Sequence, residues 1–159
     1  MACGLRQLVE VAMRAMSPSL NEPCTAVQAI DHMTVLLVRM AREGVPGGIV
    51  RGEGGALLVA TPNADLADHI RLAVDQPRRY GAQEPVVAVR FLKLLDEVGA
   101  LAPEAARPAL RSEVERVRAH AEGQAAEIDD PGPVRGEAEA ALAAIEGRPL
   151  PRGAPSVRL

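Results

Sequence analysis

The sequence predicts a mainly α-helical fold, an antiparallel bundle of five to six helices with one small β-hairpin inserted between helices 2 and 3. Leucine, valine, isoleucine, methionine and alanine recur at spacings of three and four along most of the chain. This period is typical of helices that bury one face. Tyr80 and Phe91 are the only aromatic residues, so small aliphatic side chains must fill the core, which favours closely packed helices.

A proline-containing segment separates the first two helices. The first should stop just before Pro18, because the residue preceding a proline disfavours helical geometry. Asn21 is the predicted N-cap of the second helix, which should run to Arg42 or Glu43 and be capped by Gly44. Apolar residues cover more than half of the second helix's circumference, so we expect it to be the central helix.

The predicted hairpin lies near residues 49–60, where two short β-prone runs flank the glycine-rich stretch Gly52–Gly55. A pair of such short strands is marginal alone, so we expect it to pack on the helices. The third helix should begin at Asn63 or Asp65. Pro77 should bend its last turn or end it, because a proline inside a helix lacks the N–H and clashes with the preceding turn.

Apolar stripes bounded by proline or glycine predict the remaining helices. They cover Pro85 to Gly99, a segment that becomes regular near Pro108, and Val134 to Glu146. Opposite charges four residues apart, such as Arg111 and Glu115, predict salt links along an outer fifth helix. We expect a single domain over residues 1–146 and a disordered tail, rich in proline, glycine and arginine, over 147–159.

The composition argues against two classes of partner. The net charge is −3, with 18 basic and 21 acidic residues, and a nucleic-acid binder needs a basic surface and usually aromatic platforms. The longest wholly apolar stretches span a few residues, whereas a membrane span needs about 20. Two cysteines and no recognisable signal peptide favour a reducing cytoplasm.

Two segments resemble a known bacterial family, and the first of them is fairly specific. The chain reads Ala-Met-Ser-Pro-Ser-Leu-Asn-Glu-Pro-Cys-Thr-Ala from Ala15 to Ala26, and Arg-Arg-Tyr-Gly-Ala from Arg78 to Ala82. Both resemble the soluble C-terminal part of the predicted membrane proteins grouped as domain of unknown function 2254, over roughly residues 3 to 145. Ser19 departs from the family's usual glycine, which matters if that position needs a backbone conformation favoured by glycine.

The resemblance implies a helical module with no established activity. In relatives, membrane-spanning helices precede this region, so the resemblance implies a bacterial inner-membrane location for full-length relatives and a cytoplasmic one for this chain. No membrane span is expected within the chain itself. A truncated relative, a misassigned start and a free-standing copy remain alternatives for its origin.

The corner between the first two helices is the candidate ligand site. Small polar groups at a helix N-terminus favour an anion, through free N–H groups and the helix dipole, and two arginines and a tyrosine could join them if the third helix ends nearby. The candidate residues are Ser17, Asn21, Thr25, Arg78, Arg79 and Tyr80. The alternative is a structural corner whose polar side chains bond to their own backbone, with Tyr80 a core tyrosine.

No motif for catalysis, a cofactor or a metal is recognisable. The sequence has no nucleophile elbow and no phosphate loop, and its histidines and cysteines lack paired ligand spacing; Asp65 with His69 is interpreted as a surface salt link. We therefore expect no enzyme, no cofactor and no metal. The leading hypothesis is an interaction or regulatory module that binds a protein partner or itself as a homo-oligomer. The alternative is a binder or sensor of a small anionic ligand at the Ser17–Thr25 corner.

Overall fold

Helices make up most of the structure. The computed structural model of the chain describes residues 2–45, 49–55, 57–60, 64–81, 84–123 and 132–147. The α-helices in these ranges are α1 (Ala2–Ala15), α2 (Pro23–Glu43), α3 (Leu66–Val74), α4 (Pro77–Gly81), α5 (Pro85–Gly99), α6 (Arg107–Gly123) and α7 (Gly132–Ile145). Buried residues of α1, α2, α3, α5, α6 and α7 form one continuous hydrophobic core.

The predicted fold class is wrong at the hairpin, which is not part of the helical fold. Two short segments, β1 (Ile49–Arg51) and β2 (Leu57–Ala60), pair antiparallel with each other, and their register is irregular between Val50 and Arg51. A 3-10 turn over Glu53–Gly55 lies between the two segments in the chain. Neither segment has extensive backbone contact with any described helix, so the expectation that a hairpin packs on the bundle is corrected. The bundle itself is built from helices throughout its described residues.

The expected third helix ends before Pro77 and is followed by the short α4. Asp65 begins α3 with a capping box: its carboxylate accepts from the Asp68 N–H at 2.8 Å, and its own N–H donates to the Asp68 carboxylate at 3.1 Å. Pro77 then starts α4. A proline suits a first turn, where no N–H partner is needed, but cannot continue the helix before it.

α5, rather than α2, is the central helix. It packs against α2, α4, α6 and α7. Its buried residues project on several sides, namely Val87, Ala88, Phe91, Leu92, Leu94, Leu95, Val98 and Gly99. The wide apolar arc of α2 is covered by α1, α3 and α5. Val35, which is 66% exposed, lies on the opposite, polar face of the helix, one turn from Asp31 and Arg39.

α7 packs closely against Gly99, the last residue of α5. A Cβ atom placed on Gly99 would lie 2.6 Å from Cγ1 of Ile145 and 3.5 Å from its Cα. Gly99 therefore ends its helix, as predicted, and also provides the space into which the fully buried Ile145 packs.

The charges of α6 reach across to α7. Arg111 pairs with Glu146 at 3.3 Å rather than with Glu115, which corrects the expected link along the helix, and Arg135 of α7 donates to the Glu122 carboxylate at 3.0 Å. These exposed pairs contribute little stability individually, but they indicate how the outer faces of the two helices are aligned.

The predicted tail, residues 147–159, lies outside the described residues except for Gly147. Among the described helices, none is both long and apolar enough to cross a lipid bilayer.

Candidate functional site

The residues between α1 and α2, Met16–Glu22, form a tight elbow, as the sequence predicted. Its backbone groups are bonded locally: the N–H of Asn21 donates to the carbonyl of Ser17 at 2.9 Å, and the N–H of Glu22 donates to the carbonyl of Ala15 at 2.8 Å. The elbow is therefore a turn whose backbone is held by hydrogen bonds.

Asn21 lies in the left-handed region of backbone space, with φ of +45°. Asparagine tolerates this conformation better than most residues. Glu22, not Asn21, occupies the N-cap position of α2, and its side chain makes no capping bond; the predicted cap is therefore wrong. Ser19 is not among the described residues with positive φ, so its replacement of the family's glycine carries no such backbone cost.

A cleft of about 410 Å³ lies between the elbow and the region around α4. It brings together three of the six candidate residues, Asn21, Arg79 and Tyr80. The complete lining consists of Met16, Pro18, Asn21, Pro23, Arg79, Tyr80 and Glu84. The first and second resemblance segments, far apart in sequence, therefore meet at one surface.

Ser17 and Thr25 bond within the corner and do not line the cleft. The hydroxyl groups of Ser17 and Ser19 are 3.2 Å apart, and the hydroxyl of Thr25 donates to the Glu22 carboxylate at 3.1 Å. This is the local arrangement that the structural alternative describes.

Arg78 also lies outside the cleft, in a charged cluster at the junction of α3 and α4. Its side chain is 13% exposed and donates to one oxygen of Asp75 at 2.9 Å, while Arg79 donates to the other at 3.3 Å. Burial alone would raise the pKa of Asp75, but the Arg78 hydrogen bond and the positive charges of Arg79, Arg78 and Arg116 outweigh it, so the pKa is lowered.

Glu113 of α6 completes this cluster, and sequence reasoning missed it. The residue is 1% exposed; Arg116 donates to one of its oxygens at 2.7 Å, and the other oxygen is buried without a hydrogen bond, as is Nε of Arg78. Burial raises the pKa of Glu113, with Arg116 opposing and Asp75 adding to the increase. Its spacing from the buried Leu110 and Val117 places it on the inner stripe of α6, a signal that was available in the sequence.

Glu84 is the second residue that the sequence reasoning missed, and it faces the cleft. It is the N-cap of α5, directly before Pro85, and its side chain makes no capping bond. Within the described residues, no hydrogen bond or ion pair engages its carboxylate, the amide of Asn21 or the hydroxyl of Tyr80. The cleft thus holds three polar groups that are available for a ligand beside one arginine.

His69 is held by the backbone. Its Nδ1 lies 2.7 Å from the carbonyl oxygen of Asp65, and the ring is buried. The predicted surface salt link between Asp65 and His69 is therefore wrong, because the Asp65 carboxylate caps α3 instead. In the described parts of the chain, no three histidine, cysteine, aspartate or glutamate side chains are grouped as a metal site would require.

Comparison with known proteins places the chain among predicted membrane proteins: a family model with that description matches residues 1–97. The chain belongs to this family, domain of unknown function 2254, which confirms the resemblance. It is 33% identical over 144 residues to uncharacterized proteins of Mycobacterium bovis and of two Mycobacterium tuberculosis strains. The match covers 90% of this chain but only 28% of each relative. No solved structure shows significant similarity to the chain.

Proposed function

We propose that the chain is a regulatory module of its family and that its input is a small ligand bound in the cleft between the elbow and α4. One observation carries the proposal: Asn21, Tyr80 and Glu84 present polar groups without described partners to the same cleft as Arg79. A concave site with a few convergent polar groups, in the range of about 300–1,000 Å³, is typical of small-molecule binding.

The proposal is one of binding rather than catalysis. The lining offers an amide, a phenol, a guanidinium and a single carboxylate, whereas nucleophilic catalysis calls for a nucleophile beside a base. We further propose that the module lies on the cytoplasmic side in full-length relatives; the free, exposed thiols of Cys3 and Cys24 are consistent with a reducing compartment.

Ligand-induced thermal stabilisation, followed by circular dichroism, tests the proposal. Phosphates, nucleotides and carboxylates are screened against the wild type, Arg79→Gln and Asn21→Gly, the latter keeping a residue suited to positive φ. Arg71→Gln is the matched control, because Arg71 is an exposed arginine that pairs with Asp68 outside the cleft. We expect a stabilisation that the two cleft variants reduce and the control retains.

Two results would contradict the proposal. One is a wild-type protein that none of the probe classes stabilises, where the carboxylates include the free amino acids. The other is a stabilisation that Arg71→Gln reduces as strongly as Arg79→Gln, since this would indicate general attraction of anions to surface arginines rather than a site.

Binding of a protein partner or of a second copy is the other candidate function, favoured by exposed apolar side chains on the first two helices. Val35 of α2 and Val11 of α1 are both substantially exposed, and an exposed apolar surface can mark an interface. Sedimentation velocity tests self-association: Val35→Asp should shift a dimer towards monomer, whereas a wild type that stays strictly monomeric at high concentration would count against homo-oligomerisation.

A further inference from the structure

The two charged side chains of the cleft have opposite signs and do not pair with each other. Arg79 bonds to Asp75 at 3.3 Å, and no described ion pair joins it to Glu84, although both line the cleft. A positive and a negative group that line one concave surface without pairing can both be engaged by a ligand that carries both signs.

A simple anion suits this arrangement poorly. The positive charge of Arg79 is already shared with Asp75, and the carboxylate of Glu84 would repel a second negative group in the same cleft. Because solvent screens an exposed guanidinium that already has a partner, Arg79 without the help of other cleft residues would bind a simple anion only weakly. Glu84 therefore changes the expected ligand from an anion to a molecule that carries both signs.

The remaining walls of the cleft are largely apolar. Met16, Pro18 and Pro23 contribute aliphatic surface, and Tyr80, 53% exposed, contributes an aromatic ring. Such surfaces accommodate a small hydrophobic group through van der Waals contact, while the polar groups fix its orientation.

We propose that the cleft binds the zwitterion of an amino acid. The ligand carboxylate accepts hydrogen bonds from Arg79 and from the Asn21 amide, its ammonium group donates to Glu84, and its side chain lies against the apolar wall. This inference rests on the proposed function, since it names the ligand class of the same cleft.

The experiment removes one ligand charge at a time. The twenty L-amino acids are screened by thermal stabilisation, and the strongest is titrated calorimetrically in three forms: the free amino acid, its N-acetyl derivative without the ammonium group, and its amide without the carboxylate. Charged hydrogen bonds are stronger than neutral ones, so each blocked form should bind the wild type roughly tenfold more weakly.

Paired variants assign each charge to its residue. In Glu84→Gln the free and N-acetyl forms should bind alike, and in Arg79→Gln the free and amide forms should bind alike. Glu139→Gln on the exposed face of α7 is the matched control, and it should preserve the wild-type ranking of the three forms.

The outcomes separate this inference from the proposed function. If phosphate or acetate binds through Arg79 with no effect of Glu84→Gln, the ligand site stands and the zwitterion is wrong. If the blocked amino acids bind the wild type as tightly as the free one, the zwitterion is also wrong. If neither amino acids nor anions bind, both proposals are overturned.

Discussion

Replacing Gly99 by alanine adds one methyl group where α5 and α7 meet. The new Cβ would lie 2.6 Å from Cγ1 of Ile145, and Ile145 is fully buried, with its Cα and N both 3.5 Å from the same point. Alanine gains up to about 1 kcal/mol of helix propensity over glycine, but an extra methyl in a filled core costs about 1–3 kcal/mol. We expect a net loss of about 1–2 kcal/mol.

Urea unfolding followed by far-ultraviolet circular dichroism measures this loss. For a chain of this length each kcal/mol corresponds to about 2–4 °C in Tm. Gly136→Ala in α7 is the matched control, because a Cβ there meets nothing within 4 Å. The control should stabilise the protein by up to about 1 kcal/mol.

A double-mutant cycle with Ile145→Ala isolates the contact between the two residues. Ile145→Ala alone should cost about 2–5 kcal/mol. In that background Gly99→Ala should become neutral or stabilising, since the atom it meets is gone. A Gly99→Ala variant as stable as the wild type, or one whose loss is unchanged in the Ile145→Ala background, would refute the close packing of α5 and α7.

Three further changes test other parts of the structure. Asn21→Ala should lower the free energy of unfolding by about 1 kcal/mol, whereas Asn21→Gly should leave it unchanged or raise it, because Asn21 has a φ of +45° that glycine adopts more easily than alanine. Equal effects of the two substitutions in urea unfolding would contradict the left-handed conformation. Asp65→Ala removes the N-cap of α3 and should cost about 1 kcal/mol, whereas Asp68→Asn, which keeps an acceptor, should cost less; the reverse order would argue against the capping box. Burial raises the pKa of Glu113 in the folded state above its ordinary value. The folded protein therefore binds more protons at Glu113 than the unfolded chain does. The stability that this proton binding contributes falls as the pH rises from the ordinary pKa through the raised one. Glu113→Gln should therefore gain stability relative to the wild type as the pH rises above the ordinary pKa of a glutamate, and a stability difference independent of pH would contradict the raised pKa.

Local rules predicted the helix boundaries well. Pro77 separates α3 from α4, Asp65 caps α3, and Gly44 follows α2 with φ of +81°, each for the reason read from the sequence. The Asn21 cap failed because Pro23 already occupies the first position of α2. That makes Glu22 the cap by geometry and leaves Asn21 to turn the chain.

Features that depend on packing were harder to predict. The width of the apolar arc of α2 does not indicate which helices cover it. Because the sequence shows only which residues are apolar and not which helices are neighbours, α5 could not be identified as the central helix. In the candidate site, Asn21 and Arg79 were paired on their residue types and do share a cleft. Glu84 was missed because its role depends on the fold, which brings it into the same cleft as Arg79. Arg78 lies outside the cleft because it pairs with Asp75.

The separation of β1 and β2 from the helices has a practical consequence. A segment without extensive backbone contact to the described helices can be lengthened, shortened or modified with little repacking of the core. The turn at Gly54, where an added Cβ would meet no other atom within 4 Å, is thus a suitable insertion point for an epitope tag or a small fluorescent reporter. Such a tag would allow the location of this module to be followed in cells without disturbing the cleft or the core.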